Sequence, residues 1–305
     1  MNQSKQHVIK NENWIDLVGE DDDTLVAYTK KYQLPTDYLS GVNDRFEIAR
    51  TEESNDADDV QRMLVLLQYI TDGESIDDYV EYTTHAISLV HVENHVITAY
   101  KKSTFYFEDV FDSLRDNDID YEKIVLNVFY AIQKNTIEML RSIHNEIGEM
   151  QNDIQQSSKS QELYRLIAID KSLSAIDNAV HNNRKVLDKL VASAQFNRSG
   201  EAKDILHDVM VESLQAESMV NQAIRIVDLL NDVFGNVISN NLNQVMKVLT
   251  SITIILTIPT ITAGLWGMNT TIPMEHNDQG FMIIIIISIL ISVLVAIWLR
   301  KKNYL

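Results

Sequence analysis

The sequence predicts a soluble α+β domain followed by long helices and two C-terminal transmembrane helices. Three observations carry that expectation. Residues 248–274 and 281–299 hold no ionisable side chain, and each run is long enough to cross the roughly 30 Å hydrocarbon core as a helix. Residues 121–194 repeat apolar positions at steps of three and four, the period of an amphipathic helix. Before residue 118, short β-branched or apolar runs alternate with turn residues, the texture of strands and short helices.

The first domain is expected to span 1–118. Trp14, Ile15, Asp16 and Leu17 read as a short strand, and 24–32 and 36–42 as helices with Pro35 between them. Residues 45–50, 61–71, 84–92 and 95–101 read as strands, with Glu93-Asn94 as a hairpin turn and 52–59 as an acidic loop. A helix over 105–114 closes the domain.

From 119 to 199 the pattern is a helical hairpin. Val125, Val128, Ile132, Met139, Ile143, Ile147, Met150 and Ile154 line one helix, and residues 155–160 break it. Leu163, Leu166, Leu173, Ile176, Val180, Leu187, Leu190 and Ala194 line the second. After the turn Asn197-Arg198-Ser199-Gly200, no proline interrupts the chain until Pro259. Residues 200–269 therefore read as one stalk helix of about 100 Å that continues into a first membrane helix over about 247–268. Gly235 is its weak point, at a cost of only about 1 kcal/mol. A loop over 270–280, a second membrane helix over 281–299 and a basic tail over 300–305 complete the chain.

The first membrane helix is not uniformly apolar. One face carries Asn243, Met246, Thr250, Thr253, Thr257, Thr260 and Gly264. Such a stripe has to be hidden from lipid. It can pack against another helix, because Ser and Thr bond back to the preceding turn and small residues allow close approach. It can equally face water in a ring of identical copies, where closed symmetry turns one stripe into a hydroxyl-lined tube. The stripe runs backwards through Ser239, Asn236 and Asp232, either as a lumen with a ring of carboxylates or as a solvated helix face. The second span has only Ser288 and Ser292 as polar residues and is expected to face lipid. Lys247 and Arg300-Lys301-Lys302 flank the spans while 270–280 has no Lys or Arg, which places both termini in the cytoplasm.

Composition removes several classes. With 44 acidic and 26 basic residues the net charge is −18, unsuited to nucleic acid and suited to attracting cations. The absence of cysteine excludes disulfides and thiolate metal sites. Met1 to Asn13 is polar, so no signal peptide is expected. No phosphate-cradling glycine motif, nucleophile elbow or nucleophile–base pair stands out, so an enzyme is the weakest option and no organic cofactor is expected. Lone histidines such as His207 and His276 are more often not ligands.

The run Asn243-Gln244-Val245-Met246-Lys247-Val248-Leu249-Thr250, then Pro259, then Gly264-Leu265-Trp266-Gly267-Met268-Asn269, resembles the first membrane helix and signature of the CorA magnesium channels. Trp14-Ile15-Asp16-Leu17 is similar to the start of many members. The resemblance implies a funnel-shaped homo-oligomer, a pentamer, in the plasma membrane. It implies a selectivity filter at Gly267, Met268 and Asn269 and an apolar gate at Met246 and Leu249. It also implies an acidic pore position at Asp232 and a regulatory magnesium position at Asp208, whose partner the sequence does not place. Trp266 stands where the family usually has Tyr, and the outer loop lacks the common Met-Pro-Glu order.

The cargo implied is Mg2+, with Co2+ and Ni2+ as further candidates. Mg2+ is strongly hydrated, so neutral oxygen acceptors suit it better than a cage of carboxylates. The alternatives are a Zn2+, Co2+ or Ni2+ transporter of the same build, disfavoured by Met268, or a two-span sensor that moves no ion, disfavoured by the threonines.

Overall fold

The structure is a computed structural model that describes residues 13–55, 61–76, 79–114, 120–154, 160–197, 200–268 and 279–304. The chain forms two compact units, Met1–Asn231 and Asp232–Leu305. The predicted α+β domain, long helices and two C-terminal apolar helices are all present.

The first unit is built on a five-stranded sheet of β1 (Trp14–Val18), β2 (Arg50–Asn55), β3 (Gln61–Ile76), β4 (Tyr79–Val92) and β5 (His95–Tyr100). Its order is β1-β5-β4-β3-β2, with β1 parallel to β5 and the other pairs antiparallel. Both faces of the sheet are buried, which is why β3 reads as a nearly continuous apolar run. Met63, Val65, Leu67 and Tyr69 join a core with α3 (Phe105–Leu114), α4 (Tyr121–Ile154), the end of α5 (Ser160–Ala192) and Leu206 and Val209 of α6 (Glu201–Trp266). Leu64 and Leu66 point the other way, into a second core with α1 (Asp22–Lys31), α2 (Asp37–Ser40) and Val42. Asp21 caps α1 by accepting from the Thr24 N–H at 2.9 Å, and Asp22, Asp23, Lys30 and Lys31 complement the helix dipole.

Several boundaries differ from the sequence expectation. The strand expected over 45–50 begins only at Arg50 and takes in residues 52–55 of the expected acidic loop. The Asp44 side chain accepts from the Phe46 N–H at 2.9 Å, a local turn that competes with extension and leaves Phe46 and Ile48 exposed. An edge strand with a single neighbour tolerates the polar Glu52, Glu53 and Ser54. The helix expected over 36–42 divides into α2 and a 3-10 turn, Gly41–Asn43. β3 and β4 run past their expected ends, to Ile76 and from Tyr79. Gly73 sits at the register shift there: a Cβ would meet the Glu81 carbonyl at 2.7 Å. Glu93 makes the expected turn with φ of 53°.

Helix α5 finishes what β2 leaves undone. β2 pairs with β3 no further than Leu66, so the next outward backbone groups, at Gln68, need other partners. The Asn183 side chain supplies both, accepting from the Gln68 N–H at 2.8 Å and donating to its carbonyl at 2.7 Å. Ser172 accepts from the Tyr82 N–H at 3.0 Å in the same way. Two short contacts join the helical faces: Lys123 pairs with Glu201 at 2.7 Å, and Gln195 donates to Glu122 at 2.6 Å.

α6 is one helix, Glu201–Trp266, running through Pro259 without a break. Within the second unit α7 (Gly280–Lys301) follows it. Both are long and apolar enough to cross a membrane.

Candidate functional site

The later part of α6 presents two unlike faces. One carries Ser251, which is fully buried, and the half-buried Ile255, Ile258, Thr262 and Trp266, spaced by four, three, four and four. α7 shows the matching pattern with Ile284, Ser288, Ser292, Val295 and Leu299. The two elements are tied at one end, where the Ser251 hydroxyl meets the Tyr304 carbonyl at 3.1 Å and the Lys247 carbonyl at 2.8 Å. Lys247 Nζ also lies 5.7 Å from the Tyr304 ring centre. The sequence gives no sign of this clamp. Ser251 is a single hydroxyl off the threonine stripe, and its partner is a backbone atom beyond the end of α7.

The other face has no partner among the described residues. Asp232, Asn236, Ser239, Asn243, Met246, Leu249, Thr250, Thr253, Thr257, Thr260 and Gly264 are all exposed. At 3.6 residues per turn, Thr253, Thr257, Thr260 and Gly264 fall on the far side of the helix from Ser251, Ile258 and Thr262. The structure thus keeps the predicted stripe on one face and gives α7 the other.

Three hydroxyls of that stripe are oriented. Thr253 donates to the Leu249 carbonyl at 2.8 Å, Thr257 to Thr253 at 2.7 Å and Thr260 to Leu256 at 3.0 Å. A hydroxyl has one proton and two lone pairs. With the proton turned back into the helix, each threonine offers only acceptor capacity outward. That arrangement suits the donor hydrogens of water around a cation and gives nothing to an anion.

At the far end Gly267 leaves the helix with its N–H on the Ala263 carbonyl at 2.9 Å, and Met268 is exposed. A Cβ on Gly267 would lie 3.3 Å from the same carbonyl, a tight contact. Asn269 and residues 270–278 lie outside the described residues. Asp208 is exposed on the first unit's part of α6. Among the described residues no three His, Asp or Glu side chains gather as a metal site.

A family profile described as "CorA-like Mg2+ transporter protein" matches residues 10–301. The "Cobalt/magnesium transport protein CorA" of Methanocaldococcus jannaschii is 21% identical over 298 residues, covering 96% of this chain and 91% of that protein. The complete structure of the CorA magnesium transporter from the same organism has a TM-score of 0.76 at 19% identity, over 96% of this chain and 91% of the other. The ZntB cytoplasmic domain from Vibrio parahaemolyticus has a TM-score of 0.55 at 12% identity, over 73% of this chain and 86% of that domain.

Proposed function

The chain belongs to the CorA-like Mg2+ transporter family, and from that premise we propose that it is a channel passing hydrated Mg2+ inward down the membrane potential. Co2+ and Ni2+ are secondary cargo. The observation that carries the reading is the divided helix: α7 takes one face of α6, and the opposite face is exposed and carries threonine hydroxyls whose protons are turned back onto their own helix. A ring of copies, five by family resemblance, would close that face into a wet passage. Lipid would leave the outward lone pairs of those oxygens without a donor.

In this reading Gly267, Met268 and Asn269 form the outer mouth, where neutral carbonyl oxygens accept from the ion's water shell. Thr260, Thr257, Thr253 and Thr250 carry the ion past Gly264 and inward. Met246 and Leu249 form an apolar constriction that closes by dewetting, and Asn243, Ser239, Asn236 and Asp232 line the exit. A divalent ion gains about 4.6 kcal/mol per 100 mV, twice the single-charge value, so no nucleotide is required. Both termini lie in the cytoplasm of a plasma-membrane protein. Asp208 contributes to a regulatory Mg2+ site between adjacent copies, where a second chain supplies the further oxygens.

The test is ion uptake by the purified protein in liposomes with a negative interior. Mg2+ entry abolished by Asn269→Ala is the expected result. The likeness in fold to the ZntB domain leaves a second reading open, a Zn2+ transporter of the same build, which faster Zn2+ than Mg2+ entry would establish. Absence of any divalent flux would leave a two-span sensor.

A further inference from the structure

Between the last turns of α6 and the first turns of α7 lies a cavity of about 480 Å3, within the range of roughly 300–1,000 Å3 usual for small-molecule sites. Its walls include Pro259, Ala263, Trp266, Phe281, Ile285 and Ile289, and no charged side chain is among the described residues that line it. Two hydroxyl-bearing side chains line it, Thr262 and Ser288. The Thr262 hydroxyl is satisfied by the Ile258 carbonyl at 2.8 Å. The Ser288 hydroxyl is not: Ser288 is 6% exposed and its hydroxyl has no hydrogen-bond partner among the described residues. Ser292, one turn along the same face, donates to the Ser288 carbonyl at 2.9 Å, so the local backbone does offer such residues a partner.

We propose that this cavity is a binding site for an uncharged aliphatic alcohol, an apolar chain bearing one hydroxyl. The walls match a hydrocarbon body, and an alcohol oxygen can both accept from and donate to Ser288. A charged ligand would find no counter-charge among the described lining residues. A plain acyl chain would leave the Ser288 hydroxyl unmet, and a dry apolar cavity gives water too few partners. Gly267 forms part of the wall, next to Met268 of the proposed mouth, so an occupied cavity restrains the filter and lowers flux. That last step rests on the channel reading; the binding itself does not.

The probe is octan-1-ol carrying a photoreactive diazirine, applied to the full-length protein in liposomes, with labelled peptides mapped by mass spectrometry. Saturable labelling confined to residues 259–267 and 281–289 is expected. Ser288→Ala should raise the half-saturating concentration about five- to tenfold, the worth of one hydrogen bond. Ser288→Thr should restore it, and Ile285→Trp should fill the cavity and remove the label. Labelling spread along the exposed face of α7, or unchanged by Ser288→Ala, overturns the proposal. So does failure to label wild type when cysteines placed at Ile289 cross-link between copies, because a second chain then fills the space. Site-confined labelling in a protein that passes no divalent ion would keep the site and sink the channel reading instead.

Discussion

The two units differ in how far their polar side chains reach: one-turn bonds such as Thr136 to the Ile132 carbonyl occur in the first as well, but there they stand beside long-range ones. In the first unit polar groups reach across the fold: Asn183 bonds to Gln68 from 115 residues away, and the Tyr121 hydroxyl donates to the Leu89 carbonyl at 3.0 Å. Trp14 donates through its indole N–H to Thr98 at 3.3 Å, and Thr98 in turn donates to Asp16 at 2.6 Å. In the second unit Ser251, Thr253, Thr257, Thr260, Thr262 and Ser292 all bond to the carbonyl one turn back. Long-range bonds lock a unique packing and make each partner costly to lose. One-turn bonds use up each hydroxyl's proton without help from the rest of the fold and leave its acceptor side free, so a helix can carry a row of oxygens on a face that its own fold leaves open.

The sharpest way to break that contrast is to compare two threonines of α6. Thr257→Val removes an outward oxygen from the open face and should lower Mg2+ flux in liposomes about tenfold or more. Thr262→Val removes a hydroxyl on the α7 side and should leave flux within about twofold. Equal effects would erase the distinction between the faces.

Next in size is Asn183→Ala, which strands the buried N–H and carbonyl of Gln68 and should cost about 3 kcal/mol, read as a lower unfolding midpoint in denaturant. A smaller loss, about 1–3 kcal/mol, is expected for Ser251→Leu, which overpacks a fully buried position and breaks the bond to Tyr304. Its readout is the thermal midpoint of the detergent-purified protein.

The smallest effect concerns the histidines of the first unit. His91 is stacked on Tyr121 at 5.1 Å, and burial pushes its pKa below 6.5. Burial, then Lys102, Lys101 and Arg45, push His85 the same way. The fold holds both in the neutral form, so the unfolded chain takes up protons first. Their contribution is present above about pH 6.5 and is lost as pH falls below it. Melting should therefore come slightly earlier at about pH 5.5 than at about pH 7.5, and His91→Gln should shrink that difference. A difference untouched by His91→Gln would assign it to other groups.

How far the sequence could be read depended on the range of the physics involved. Helices α4, α5, α6 and α7 were legible because period and hydropathy are properties of neighbouring residues. The threonine stripe was legible for the same reason, and the structure keeps it on one face. β2 was not: Phe46 and Ile48 look like strand residues, while Glu52 and Glu53 look like loop. Only pairing with β3, and the bond from the Phe46 N–H to Asp44, settles where extension begins.

The sequence by itself determined the soluble and membrane-length segments, the continuous α6 helix and the row of oxygens along it. Each follows from spacing along one chain. Tertiary structure alone decided which face of α6 meets α7, that Ser251 is clamped by Tyr304, and that Ser288 faces a cavity without a partner while Ser292 does not. Those outcomes depend on which atoms meet across space, and residue spacing carries no record of that.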